Sequence, residues 1–228
     1  MQTLKLSKDT INVLKNFNTI NPMIYFKEGN AITTVSPGKT IFARYHNAAE
    51  NFESNFGFYR LDKLLNILSF FNDPELIISD KNLTIKEGKQ KAKLAFGAPE
   101  VLIFPTKDKV NMPSIDASFT LLEEDLNAIT KAYTVMELPV VAFVSDGKTL
   151  SIQALDPTKP GGDSYSINVA EDGTDHNVSN KFTAMFNISN LKMMPSNYNV
   201  KLTSKGIAEF SNDKLAYWIA VEKSSKFG

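Results

Sequence analysis

The sequence has 228 residues, no cysteine, and 25 Lys and Arg balanced by 25 Asp and Glu, for a formal net charge of zero. With 43% hydrophobic, 11% aromatic and 22% charged residues, it has an ordinary globular composition, which excludes large-scale disorder, disulfide or thiolate-metal scaffolds and nucleic-acid binding by bulk charge. The N-terminus lacks a signal-peptide core and no run approaches the ~18 apolar residues of a membrane span, so a cytoplasmic protein without membrane contact is expected.

Residues 4–20 (LKLSKDTINVLKNFNTI) predict a short strand and then a helix, with Ser7 as N-cap and Asp9 in the first turn, where the helix dipole favours negative charge. At about 100° per residue, Ile11, Val13, Leu14 and Phe17 share the core side, while Lys8, Asn12, Lys15 and Thr19 gather on the polar side. Strands are expected at 22–27, 31–35 and 40–45, divided by Glu28-Gly29-Asn30 and Ser36-Pro37-Gly38-Lys39. The order then restarts: a strand at 56–59, a helix at 62–71, and strands at 75–78, 83–86 and 91–96. In that helix Leu61, Leu64, Leu65 and Leu68 point inward, and Lys63 and Asn66 outward.

Residues 98–114, punctuated by Pro99, Pro105 and Pro113, read as an extended, mostly unpaired interdomain linker. Beyond it come a strand at 117–122, a helix at 123–135, and strands at 139–145, 149–155 and 164–169. In this helix Leu126, Ile129 and Tyr133 are core, leaving Asn127 and Lys131 outward. A polar loop at 171–180 precedes a strand at 181–187, and a short helix at 189–194, with Leu191 and Met194 inward and Lys192 outward, is stopped by Pro195. Strands at 198–203, 206–211 and 215–222 lead into an exposed tail, 223–228. Four βαβββ units with a period of about 50 to 60 residues form an internal repeat. The fold class is therefore α+β: two similar domains, 1–97 and 115–228, each a pair of such units with two helices packed on antiparallel sheets.

Catalytic signals are lacking. Pro37-Gly38-Lys39-Thr40 and Asp146-Gly147-Lys148-Thr149 end like phosphate-binding loops, but Thr33 and Ala142 stand where the motif needs its first glycine, and both pieces join two strands. They are hairpin turns. His46 and His176 fall in different halves as loop residues, and the acids Glu123, Glu124 and Asp125 are explained by the helix dipole. Neither an enzyme, a metal site nor a cofactor is indicated.

The chain resembles the DNA polymerase sliding clamps of T-even-type bacteriophages, which are similar in fold to the proliferating cell nuclear antigen. The likeness runs almost end to end and is densest at residues 4–21 (LKLSKDTINVLKNFNTIN), 67–73 (ILSFFND) and 186–206, the last containing Leu191-Lys192-Met193-Met194-Pro195-Ser196-Asn197-Tyr198-Asn199. It implies a homotrimeric ring with helices lining a hole for duplex DNA, acting as a non-enzymatic processivity factor in the cytoplasm of the infected host cell. DNA would be met, without sequence preference, by Lys8, Asn12, Lys15, Lys63, Asn66, Asn127, Lys131 and Lys192. A ring held by topology needs only weak phosphate contacts, which agrees with zero net charge. Head-to-tail closure would use sheet edges, with 91–96 and 164–169 as candidates. The resemblance further implies that DNA polymerase, clamp loader and late-transcription factors dock apolar peptide tails beside the linker, at Val101, Leu102, Ile103, Phe104 and Val221. A phage structural ring or tube without DNA is the alternative, but it would bury hydrophobic helix faces between subunits; the basic helix faces favour the clamp.

Overall fold

The structure is a computed structural model describing residues 1–170, 178 and 180–228. The loop expected at 171–180 falls outside the described residues except for Val178 and Asn180, and His176 falls outside them entirely. Two compact units are present, Met1–Lys109 and Val110–Gly228.

The first unit runs β1 (Gln2–Leu4), α1 (Lys8–Ile20), β2 (Ile24–Phe26), β3 (Ile32–Val35), β4 (Ile41–Tyr45), β5 (Phe56–Phe58), α2 (Leu61–Leu68), β6 (Glu75–Ile78), β7 (Asn82–Glu87) and β8 (Gln90–Ala95). These are the two expected βαβββ copies, but their leading strands are exchanged. β1 pairs with β6 of the second copy, Leu4 opposite Leu76, and β5 pairs with β2 of the first, Ile24 opposite Phe58. The resulting orders are β1-β6-β7-β8 and β5-β2-β3-β4, antiparallel throughout. Each leading strand alternates its side chains between faces, so a strand completing the other copy's sheet carries apolar groups into a common core. Buried Val13, Leu14 and Phe17 of α1 and Leu61, Leu64 and Leu68 of α2 complete that core, and the two helices pack side by side.

In the second unit the order is β9 (Ala117–Leu121), α3 (Glu123–Val135), β10 (Val140–Asp146), β11 (Leu150–Leu155), β12 (Ser164–Ala170), β13 (Lys181–Asn187), β14 (Tyr198–Thr203), β15 (Ile207–Ser211), β16 (Leu215–Ala220) and β17 (Lys226–Phe227). The same exchange recurs: β9 pairs with β14 and β13 with β10. Phe119 of β9 and Phe210 of β15 meet Phe143 of β10 and Phe186 of β13 at ring separations of 5.0 to 6.2 Å, joining the two sheets through an aromatic core.

Two expectations need correction. The helix at 189–194 is a single 3-10 turn, Ile188–Asn190, started by the Asn187 carboxamide oxygen, which accepts the Ser189 N–H at 2.9 Å. Pro195 holds Met194 away from helical backbone. Two buried tyrosines then replace the helix's hydrogen bonds, because Tyr198 donates its hydroxyl to the Met194 carbonyl at 2.6 Å and Met194 N–H donates to the Tyr217 hydroxyl at 3.3 Å. Helix α2 stops at Leu68, not at Phe71, since the Glu87 carboxylate takes the N–H groups of Asn72 and Asp73 at 2.9 Å each and turns the chain toward β6. The tail is exposed as expected at Lys223, Ser224, Lys226 and Gly228, and it is also anchored: Phe227 lies opposite Phe182 of β13, and the Gly228 N–H bonds the Lys181 carbonyl at 2.9 Å.

The apolar run 101–104 is likewise built into the first unit. Gly57 leaves the space that Leu102 fills; a Cβ there would stand 2.6 Å from both the Leu102 Cδ1 and the Ile24 carbonyl. Phe104 stacks on Tyr25 at 4.2 Å. Asn21, the buried C-cap residue of α1, donates from Nδ2 to the carbonyls of Val35 and Ile103 at 2.9 Å each, and its Oδ1 accepts the Met23 N–H at 2.9 Å. Replacing Asn21 by Ala strands two carbonyls and one N–H, for an expected loss of about 2–4 kcal/mol. Denaturant unfolding measures the loss, and accelerated amide exchange at Leu102 reports release of the run.

Helix α3 ends on a Schellman turn, with Glu137 at φ 55 and the Leu138 N–H reaching the Tyr133 carbonyl at 3.0 Å. Left-handed backbone is costly for a side chain with a Cβ, so Glu137→Gly is expected to raise stability by roughly 0.5–1 kcal/mol, read as a higher denaturation midpoint.

Candidate nucleic-acid interface

The polar face of α1 is organised from its first turn. Ser7 is the N-cap, its hydroxyl oxygen accepting the Thr10 N–H at 3.1 Å. Buried Glu50, only 5% exposed, accepts hydrogen bonds from the Ser7 N–H and, at 2.6 Å, from the Thr10 hydroxyl. A carboxylate at a helix N-terminus satisfies orphan N–H groups and complements the dipole. Nothing in the local sequence announces Glu50, which arrives from the segment preceding β5, distant in the chain. With the core side held down, Lys8, Asn12 and Lys15 stand exposed, and Ile11, expected in the core, is half-buried.

On α2, which packs beside α1, Lys63 and Asn66 are exposed, so five of the expected residues share the helical layer of the first unit. Arg60, which sequence reasoning passed over, precedes α2 and pairs with Asp62 at 2.6 Å, holding that carboxyl below the usual range. In the second unit Asn127 and Lys131 are exposed on α3 while Leu126 and Ile129 are buried. Tyr133 is half-buried. Lys192 is half-buried in the irregular segment that replaces the fourth helix. That segment still reaches α3, for the Asn197 Oδ1 accepts the Glu123 N–H at 2.8 Å.

The apolar run is split by alternation. Leu102 is 7% exposed and turned inward, whereas Val101 and Ile103 are 59% and 38% exposed, and Phe104 is half-buried on Tyr25. Val221 belongs to the second unit, where it is buried and its N–H bonds the Gly206 carbonyl at 3.0 Å.

The glycine-lysine-threonine pieces are hairpin turns. The Ser36 hydroxyl accepts the N–H groups of Thr40 and Ile41 at 3.0 Å each. Asp146 Oδ1 accepts those of Lys148 and Thr149 at 2.9 and 2.7 Å, and these bonds hold its carboxyl below the ordinary range. His46 follows β4 and takes a hydrogen bond on Nδ1 from the Arg44 Nε at 3.0 Å. Among the described residues no group of three or more Asp, Glu or His could hold a metal ion, and no helix is long and apolar enough to cross a membrane.

Residues 118–223 match the protein family described as "gp45 sliding clamp, C terminal". The sliding clamp of Vibrio phage KVP40 is 30% identical over 225 residues, spanning 96% of this chain and 99% of that protein. That of Escherichia phage RB69 is 28% identical over 230 residues, spanning 97% and 98%. Among solved structures, A. fulgidus PCNA bound to the C-terminal region of FEN-1 aligns with a TM-score of 0.74 at 18% identity over 99% of this chain and 100% of that one, a likeness of fold. The exchanged βαβββ pairs, the near end-to-end alignment and the level of identity agree: this chain belongs to the sliding clamp family of DNA replication found in bacteriophages, the processivity factors.

Proposed function

We propose that three copies of the chain close head to tail around duplex DNA and hold the replicative polymerase on it, with the polar helix faces toward the phosphates. The observation that carries this reading is the exposed cation on each of the three helices, Lys8 and Lys15, Lys63, and Lys131, always on the side opposite the buried one. Asn12, Asn66 and Asn127 stand among them as neutral hydrogen-bonding groups, and Lys192 adds a further contact. Topological retention lets each phosphate contact stay weak and exchange during sliding, whereas strong binding would act as a brake. Closure is supported by β8 and β12, each of which ends the strand order of its sheet and, among the described residues, offers an unpaired backbone edge.

Polymerase, clamp loader and late-transcription proteins would dock apolar tails on the outward side chains Val101 and Ile103, which the Gly57 and Asn21 contacts hold in place.

Replacing Lys15 and Lys131 by Glu is expected to shorten the product made per loading event by about tenfold at physiological salt, while sedimentation still shows the trimer. Unchanged processivity in a primed-template assay would remove these lysines from the DNA path. Ile103→Asp is expected to weaken binding of an apolar polymerase tail peptide by about tenfold, the scale of one buried apolar contact. An unchanged titration would place the docking site elsewhere.

A further inference from the structure

The formal charge of zero conceals an excess of cations in the first unit, where residues 1–109 carry 15 Lys and Arg against 11 Asp and Glu. Four of these lysines, Lys86, Lys89, Lys91 and Lys93, are exposed on the β7–β8 hairpin. The turn Gly88-Lys89, with Gly88 at φ 54, fixes the register and sets Lys86 directly opposite Lys91. Like charges so placed repel. Among the described residues no hydrogen bond or ion pair of a lysine head relieves any of the four. The acid in the hairpin is committed elsewhere, because both oxygens of Glu87 accept the N–H groups of Asn72 and Asp73.

Alternation along both strands puts Lys86, Lys91 and Lys93 on the sheet face opposite buried Leu83, Ile85 and Leu94, and so away from the core that α1 and α2 complete. They are therefore no part of the helical layer assigned to duplex DNA, and they contribute nothing to packing. A cluster of cations that repels itself costs stability within the chain. Local conflict of this kind marks a surface whose charge is satisfied by a partner.

We propose that this outward face of the β7–β8 hairpin docks an acidic, extended segment of another protein, its carboxylates lying over the four lysines. Lys91 and Lys93 stand two residues apart on one strand, about 7 Å, and an extended chain with acids at alternate positions repeats at the same spacing. Lysine heads are point charges with rotatable donors, so they accept carboxylates without demanding one geometry. Nucleic acid fits the face less well. Among the described residues its outward positions, such as Thr3, Ile77, Thr84 and the lysines, include neither an aromatic ring nor an arginine on which bases could stack. Exposed charges of one sign speed encounter and select partners by sign more than they add affinity.

The test is fluorescence anisotropy of the full chain with a labelled decapeptide of alternating glutamate and serine. Wild type is expected to bind it, at least tenfold more weakly in about 1 M than in about 0.1 M sodium chloride, since the screening length falls from about 10 to about 3 Å. Lys86→Gln with Lys89→Gln, which leaves β8 untouched, should weaken binding about tenfold, with circular dichroism and sedimentation as in wild type. Lys86→Arg with Lys89→Arg keeps the charge and should bind like wild type. If the Gln pair disturbs the hairpin, Lys89→Gln with Lys93→Gln serves in its place. Wild type that ignores the peptide, or binding that survives loss of the hairpin lysines, overturns the inference. Binding abolished instead by Lys15→Gln with Lys131→Gln also overturns it, because the peptide would then lie on the helix faces. A labelled oligothymidylate that binds more tightly than the peptide, and is released by the Gln pair, overturns it by assigning the face to nucleic acid. Loss of processivity on changing the helix-face lysines, measured separately, keeps the DNA reading distinct from this one.

Discussion

Each βαβββ copy lends its first strand to its neighbour's sheet, and the rest of the architecture depends on that exchange. A copy left alone would lack a strand and expose one face of its helix. Pairing β1 with β6 and β5 with β2 ties the two copies of the first unit together by backbone hydrogen bonds, and β9 with β14 and β13 with β10 does so in the second. In the first unit this puts α1 beside α2, so their polar faces form one surface in place of two unrelated ones. The exchange also determines which strands remain at the ends of the sheets, among them β8 and β12.

Inside this framework a few buried polar groups place the elements that function needs. Glu50 holds the start of α1 through Ser7 and Thr10, and Asn21 joins its end to β3 and to the apolar run near residue 103. Tyr198 and Tyr217 support the segment where a fourth helix would lie, and burial pushes both phenols well above their ordinary pKa, so they remain neutral hydrogen-bonding groups. These groups are hydrogen-bonded, as burial away from water requires. Their contribution is positional. The exposed lysines can stay solvated and weakly interacting because none of them has to hold the fold together.

A sliding ring must be tightly closed on itself and loosely held on its track. Zero net charge suits the second requirement, because it leaves phosphate contacts weak. Backbone edges supply affinity without discrimination, since any open strand can pair with any other.

Much of the chain was legible in order. Apolar alternation located the strands to within about two residues, and the span of α3 and the Ser7 cap follow from local propensity and capping chemistry. Exposure of Lys8, Asn12, Lys15, Lys63, Asn66, Asn127 and Lys131 follows from helical period alone, because burying one face determines the other. Local pattern could not reveal the fate of residues 189–194, where Tyr198 and Tyr217 provide hydrogen bonds from elsewhere in the chain, nor the early end of α2, imposed by Glu87. Nor could it show that the tail pairs with β13 or that Leu102 enters the space left at Gly57. The sequence by itself determined the elements, their repeat and their polar faces, since these depend on neighbours within a turn or a strand. Only the tertiary structure decided which copy each leading strand completes and where the irregular segments rest, because those contacts join residues tens of positions apart.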